Sequence, residues 1–190
     1  MAERIVREME NLAFDDVRVD AMGNVIGRVG PAGGPTLMLN AHMDTVRVSA
    51  ENTWSHDPFG ADVENGTLYG RGSFDMKGGL AAMVYGAKLL GEMETPLQGN
   101  VVVACVVQEE TCEGLGTRTL VEESGLEPDW VVLGEPTNLN VSRGQRGRLE
   151  MRVVAHGKSA HAASPRLGEN AIYIASRLVF GLELLAGQLG

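Results

Sequence analysis

Seven consecutive apolar residues, Val101 to Val107, lead through Gln108 straight into two adjacent glutamates, Glu109 and Glu110. A run that is short, rich in branched residues and free of charge reads as a strand buried on both faces, which implies helices above and below a sheet. Its neighbours along the chain agree. From Gly78, GGLAAMVYGAKLLGEM places Leu80, Met83, Val84, Ala87 and Leu90 on one helical face. Downstream come a short helix near Gly116 to Glu123 and a second apolar run, Trp130 to Leu133, read as another buried strand. Upstream, TLMLN follows the turn GPAGGP and stops just before Ala41 and His42. This alternation defines an α/β fold with a mostly parallel mixed sheet flanked by helices, and such sheets gather their sites at the carboxyl ends of the strands.

The two ends of the chain read differently. Ile5, Val6, Met9, Leu12 and Ala13 recur at helical spacing, and VRVDAMGNVIGRV then reads as a hairpin about Gly23-Asn24. The polar stretch from Thr45 to Gly66, with Trp54, His56, Pro58 and Phe59, reads as a long irregular loop ahead of a short strand, TLYG. Beyond Asn138, NVSRGQRGRLEMRVVAHGKSAH alternates and turns basic, which suits strands with one open face. A helix from Ala171 to Leu185, capped by Asn170, is expected to turn Ile172, Ala175, Leu178, Val179, Leu182 and Leu185 inward. Two domains are therefore expected, residues 1–143 and 144–190.

Composition removes several function classes. Sixteen Lys and Arg against 25 Asp and Glu leave a formal charge of −9, the wrong sign for a surface that tracks nucleic acid. Cys105 lies in the apolar run and Cys112 seven residues on, which is neither a CxxC metal knuckle nor a disulfide framework and fits a reducing compartment. MAERIVREMENLAF has no apolar core of a secretory signal, and charge or glycine interrupts every apolar stretch before membrane length. A cytoplasmic protein with no membrane or nucleic-acid partner is expected.

The chemistry-bearing residues sit where strands run out. His42 and Asp44 are two apart, so in extended chain they share a face, and a carboxylate beside an imidazole fixes its tautomer for metal binding. The pair would equally serve as a hydrogen-bonded surface pair. Asp75, in LYGRGSFDMKGG, stands just before a helix, as a metal-binding carboxylate or as a cap. Glu109 and Glu110, neighbours in extended backbone, would point to opposite sides, one to a metal and the other to a water, or both to solvent. Glu135 follows a strand in VVLGEPT, where Pro136 stiffens the turn. One imidazole with several carboxylates suits zinc, cobalt or manganese, and hydrolysis by metal-activated water is the chemistry such a set supports. There is no HExxH helix, no GxSxG elbow and no Walker loop.

The ordered motifs AHMDT, GRGSFDMKGG, QEET, GEPT and GKSAHAASPRLGENAI closely resemble the co-catalytic metallopeptidase family of acetylornithine deacetylase, succinyl-diaminopimelate desuccinylase and glutamate carboxypeptidase. The resemblance implies a hydrolase-like catalytic domain and the start of a small α+β lid domain that makes the homodimer. It also implies two divalent ions, zinc in the first place with cobalt or manganese as alternatives. His42 would bind one ion, Asp75 would bridge both, Glu110 and Glu135 would each complete one shell, and Asp44 would orient His42. Glu109 would be the general base, taking a proton from water and returning it to the leaving amine, and His161 would stabilise the oxyanion across the dimer. The implied substrate is an N-acyl amino acid or a short peptide. No histidine follows His161, so the family's final metal-binding histidine is missing and an incomplete, N-terminal-half member is expected. A truncated, non-catalytic metal-binding or dimerisation module is the alternative.

Overall fold

The computed structural model describes residues 1–49, 53–112, 114–145, 147 and 150–189, apart from the side chains of Cys112 and Leu189. The chain divides into two compact units, Met1–Val141 and Ser142–Gly190.

In the first unit, helix α1 (Ala2–Asn11) precedes strands β1 (Asp16–Val19), β2 (Val25–Val29) and β3 (Thr36–His42). A two-rung hairpin, β4 (Val63–Glu64) with β5 (Thr67–Leu68), interrupts the expected irregular loop. Then come α2 (Gly78–Gly91), β6 (Asn100–Val106), α3 (Glu109–Cys112), α4 (Leu115–Glu123) and β7 (Trp130–Leu133). The five-stranded sheet runs β1-β2-β6-β3-β7. β3 pairs in parallel with β6 and β7, whereas β2 pairs antiparallel with both β6 and β1. The sheet is thus evenly mixed rather than mostly parallel. The β1–β2 hairpin joins the outer side of β6 directly, with no crossover helix to impose a parallel direction.

The uniform apolar character of β6 follows from cover on both sides. Val101, Val103 and Cys105 pack with Ile5 and Met9 of α1 and Leu80, Val84 and Ala87 of α2. Val102, Ala104 and Val106 pack on the opposite face with Ile26, Met38 and Leu120 of α4. Each buried valine stabilises the fold by about 1.5–3 kcal/mol. β7 corrects an expectation: it is an edge strand, and Trp130 and Leu133 are about 60% exposed. Its apolar composition signals a strand, but burial depends on what covers it, and among the described residues of this unit nothing does.

A buried polar residue ties the hairpin to the end of β6. Asp20 Oδ1 accepts hydrogen bonds from the backbone N–H groups of Met22, Gly23 and Asn24, closing the turn. Asn24 Nδ2 donates to Asp20 Oδ2 at 2.7 Å and to Gly116 O at 3.0 Å, while Val107 N donates to Asn24 Oδ1 at 2.9 Å. Gly116 has no room for a side chain, since a Cβ there would stand 2.1 Å from Val107 O. The segment holding Glu109 and Glu110 is therefore pinned at both of its ends.

In the second unit, a 3-10 turn (Pro165–Leu167) precedes α5 (Ala171–Leu189), and Ile172 N donates to Asn170 Oδ1 at 2.9 Å, the expected cap. Lys158 and Glu169 exchange two backbone hydrogen bonds of 2.9 Å as an isolated bridge. The expected strands before them do not form among the described residues of 142–157, because a strand needs a neighbour for its backbone groups. The expected inward face of α5 is exposed as well, Ile172 at 72% and Val179 at 62%. Ala171–Gln188 is long and apolar enough to cross a membrane by length and composition, since Gly181, Gly187, Arg177 and Glu183 do not break its average. This corrects the expectation that no stretch reaches that length; apolar helices of folded domains pass the same test.

Candidate metal centre

The sheet delivers the site. His42 closes β3 opposite Val106 of β6, so the segments leaving the two strands start side by side. β3–β7 pairing continues one step further, Gly134 N donating to Asn40 O at 2.9 Å, and sets Glu135 beside them. The turn Ser73–Lys77 ahead of α2 brings in Asp75, and His42 N donates to Met76 Sδ at 3.2 Å.

Four carboxylates surround the buried imidazole. Asp75 Oδ1 lies 3.0 Å from His42 Nε2, Glu135 Oε1 3.9 Å and Glu109 Oε2 4.0 Å. Ligand atoms of His42, Asp75 and Glu110 all lie within 4.8 Å of one another. On the other side of the ring, Nδ1 lies 3.0 Å from the backbone oxygen of Asp44 and 3.6 Å from its Oδ1. Orientation of His42 thus rests first on the Asp44 carbonyl. The Asp44 carboxylate instead accepts from the backbone N–H groups of Glu109, at 3.4 Å, and Glu110, at 3.2 Å. Those two glutamates open the short helix α3 rather than an extended segment, so their separation comes from the helical turn and not from strand alternation. Glu110 Oε1 accepts from Val46 N at 3.3 Å, joining the two segments once more.

The electrostatics are those of a cation site. Burial works to lower the His42 pKa, but the hydrogen bond that the ring donates to Asp75 and the charges of Glu135 and Glu109, with the Asp44 carbonyl, leave it raised above 6.5. Glu109 and Glu135 are raised above 4.5, first by burial and then by the neighbouring carboxylates, with His42 opposing. An imidazole and a crowd of carboxylates that resist ionising together are a donor set whose repulsion a divalent ion relieves. Lys77, which motif reading passed over, also belongs here. Burial lowers its pKa against the opposing pull of Asp44, Glu110 and Asp75. Gly72, at φ +80°, makes the room, since a Cβ would stand 2.6 Å from Lys77 Nζ. Its position two residues after Asp75 was the only sequence signal for that lysine.

His161 lies in the second unit. Its Nδ1 accepts from Ala163 N at 3.1 Å, and it lines a cavity of about 460 Å³ together with Lys158 and Asn170. His156 is exposed. Burial pushes the Cys105 thiol up to about 12, so it is core and no nucleophile.

Residues 38–188 match the model of Peptidase family M20/M25/M40, and the chain belongs to that family of metal-dependent hydrolases. It is 39% identical over 191 aligned residues to the uncharacterized protein YgeY of Escherichia coli K12, covering all of this chain and 47% of YgeY. It is 35% identical over 156 residues to a probable succinyl-diaminopimelate desuccinylase of Staphylococcus epidermidis, covering 82% of this chain and 38% of that protein. Among solved structures, the M20 family metallo-carboxypeptidase Sso-CP2 of Sulfolobus solfataricus superposes with a TM-score of 0.60 at 26% identity, over 70% of this chain and 31% of that one. The chain spans about half the length, or less, of these curated relatives.

Proposed function

We propose that this chain forms the metal-binding half of a two-metal amide hydrolase that removes an acyl group from an N-acyl amino acid or cleaves a short peptide. The observation that carries the reading is the convergence of Asp75, Glu109, Glu110 and Glu135 on His42 at the carboxyl end of β3. His42, Asp75, Glu110 and Glu135 are the residues that would hold two divalent ions, zinc foremost, with the Asp75 carboxylate shared between them. When bound, such ions lower the pKa of water and polarise a scissile carbonyl.

The chain's own groups manage the protons. Donation from His42 Nδ1–H to the Asp44 carbonyl leaves Nε2 as the ligand atom. Glu109 takes a proton from the attacking water and hands it to the leaving amine, and the raised pKa that burial gives it suits both roles. His161 accepts a hydrogen bond on Nδ1, which leaves Nε2–H as the donor an oxyanion needs. In this reading that donor comes from the partner of a homodimer built through the second unit, a lid domain, and the first unit is the catalytic domain.

The test is Glu109→Gln in the metal-loaded protein, assayed on a panel of N-acylated amino acids. Metal content should stay at the wild-type level while kcat falls by about 10²–10⁴-fold. An unchanged kcat would remove Glu109 as the base. Wild type that holds metal but hydrolyses nothing would favour the non-catalytic dimerisation module, to which the exposed apolar residues of α5 already point.

A further inference from the structure

Between the end of β6 at Val106 and the start of α3 at Glu109, the chain has only Val107 and Gln108 in which to turn. Gln108 makes the turn at φ +59°. That is the left-handed region, which is unfavourable for a residue with a Cβ and which side chains branched at Cβ scarcely adopt. Among the described residues, Ala13, Ala61, Asn65, Asn138 and Leu139 also have positive φ without being glycine, but none of them adjoins a candidate metal ligand or the candidate base.

Packing does not hold Gln108 in this conformation, since its side chain is exposed. Hydrogen bonds do. Gln108 Oε1 accepts from the Thr111 hydroxyl at 2.6 Å, which ties the turn to α3. The residue before it is fixed by Val107 N donating to Asn24 Oδ1 at 2.9 Å, and the two after it by the N–H groups of Glu109 and Glu110 donating to the Asp44 carboxylate. A single left-handed residue is therefore clamped from both sides. Backbone strain of this kind persists only where the surroundings over-determine it, and it gathers at functional sites.

We infer that Gln108 is a positioning residue: its left-handed turn breaks the direction of β6 and aims Glu109 and Glu110 at the His42 imidazole, while its side chain secures the turn to α3. It acts through its two neighbours. With the turn in place, Glu109 Oε2 stands 4.0 Å from His42 Nε2, and Glu110 joins His42 and Asp75 within 4.8 Å. An extended residue 108 would carry both glutamates onward along the line of β6. The inference rests on the hydrolase reading above for what Glu109 does and on the metal centre for what Glu110 does.

The test compares substitutions that permit the left-handed turn, Gln108→Gly and Gln108→Asn, with Gln108→Val, which opposes it. Three quantities are read: zinc affinity by calorimetry, kcat and KM of the zinc-loaded proteins on the best substrate of the N-acylated panel, and amide exchange of Glu109 and Glu110 in the metal-free proteins. Gln108→Val should bind zinc at least about tenfold more weakly and lose at least about tenfold in kcat with KM nearly unchanged, and its two glutamate amides should exchange faster. Gln108→Gly and Gln108→Asn should stay within about threefold of wild type in all of these. A Gln108→Val that loses Tm alone, with kcat, zinc affinity and exchange as in wild type, overturns the inference, and so does a Gln108→Asn as impaired as Gln108→Val. Should Gln108→Val fail to fold, Gln108→Thr, branched but polar, is judged by the same criteria. Wild type that binds zinc and hydrolyses nothing sinks the hydrolase reading, and zinc affinity then decides the role of Gln108. Wild type that binds no zinc sinks the metal centre, and amide exchange then decides whether Gln108 fixes the two glutamates.

Discussion

The two ring nitrogens of His42 face opposite kinds of partner, a carbonyl on Nδ1 and a carboxylate on Nε2. Without metal, both contacts favour the protonated ring, and the raised pKa values of Glu109 and Glu135 mean that the folded site binds more protons than the unfolded chain. The sign follows from linkage: groups raised on folding stabilise below their ordinary values, and that contribution is lost as pH rises through the raised ones. For the metal-free protein this contribution is therefore full below 4.5 for the glutamates and below 6.5 for His42, and it declines above those values. Glu135→Gln should flatten the decline, read as Tm against pH in chelator, and a parallel decline in both proteins would contradict the assignment. That His42, Asp75, Glu109, Glu110 and Glu135 would gather was expected from residue type and from position after strands or at the mouth of a helix; which of them bind metal was implied only by the family resemblance. The partnership of His42 with the Asp44 carbonyl was not legible, because side-chain spacing carries no information about backbone acceptors.

At the scale of elements, the site depends on where β3, β6 and β7 end, and Asn24 is the device that holds the end of β6. Asn24→Ala leaves the N–H of Val107 without its acceptor and releases Gly116 O, which should cost about 1–3 kcal/mol. Denaturant unfolding should show that loss, and metal affinity should fall with it because Glu109 and Glu110 lie two and three residues beyond Val107. A loss of stability with unchanged metal affinity would separate the hairpin from the site. The longer strands and helices of the first unit were readable because apolar period and turn residues mark them locally, whereas β4 and the short helix α3, which have no apolar period, were not. Strand direction and the exposure of β7 were not, since both depend on which element lies alongside. Asn24 reads as a turn residue, and only the fold makes it a tie across 83 residues.

For the molecule as a whole, the first unit encloses a core on both faces of its sheet, whereas α5 leaves Ile172, Val179 and Leu184 largely exposed. If the second unit pairs two chains, sedimentation should give a dimer, and Val179→Glu should shift it to monomer without changing metal content. A monomeric wild type would take His161 out of the partner's site. The central claim, however, lies in the first unit: a divalent metal centre built on His42, Asp75, Glu110 and Glu135. Elemental mass spectrometry after dialysis against metal-free buffer tests it most directly, on wild type and on Asp75→Ala. Close to two tightly held ions per wild-type chain, lost together in Asp75→Ala, is the expected result. No ion retained by wild type, or equal retention in Asp75→Ala, would contradict it.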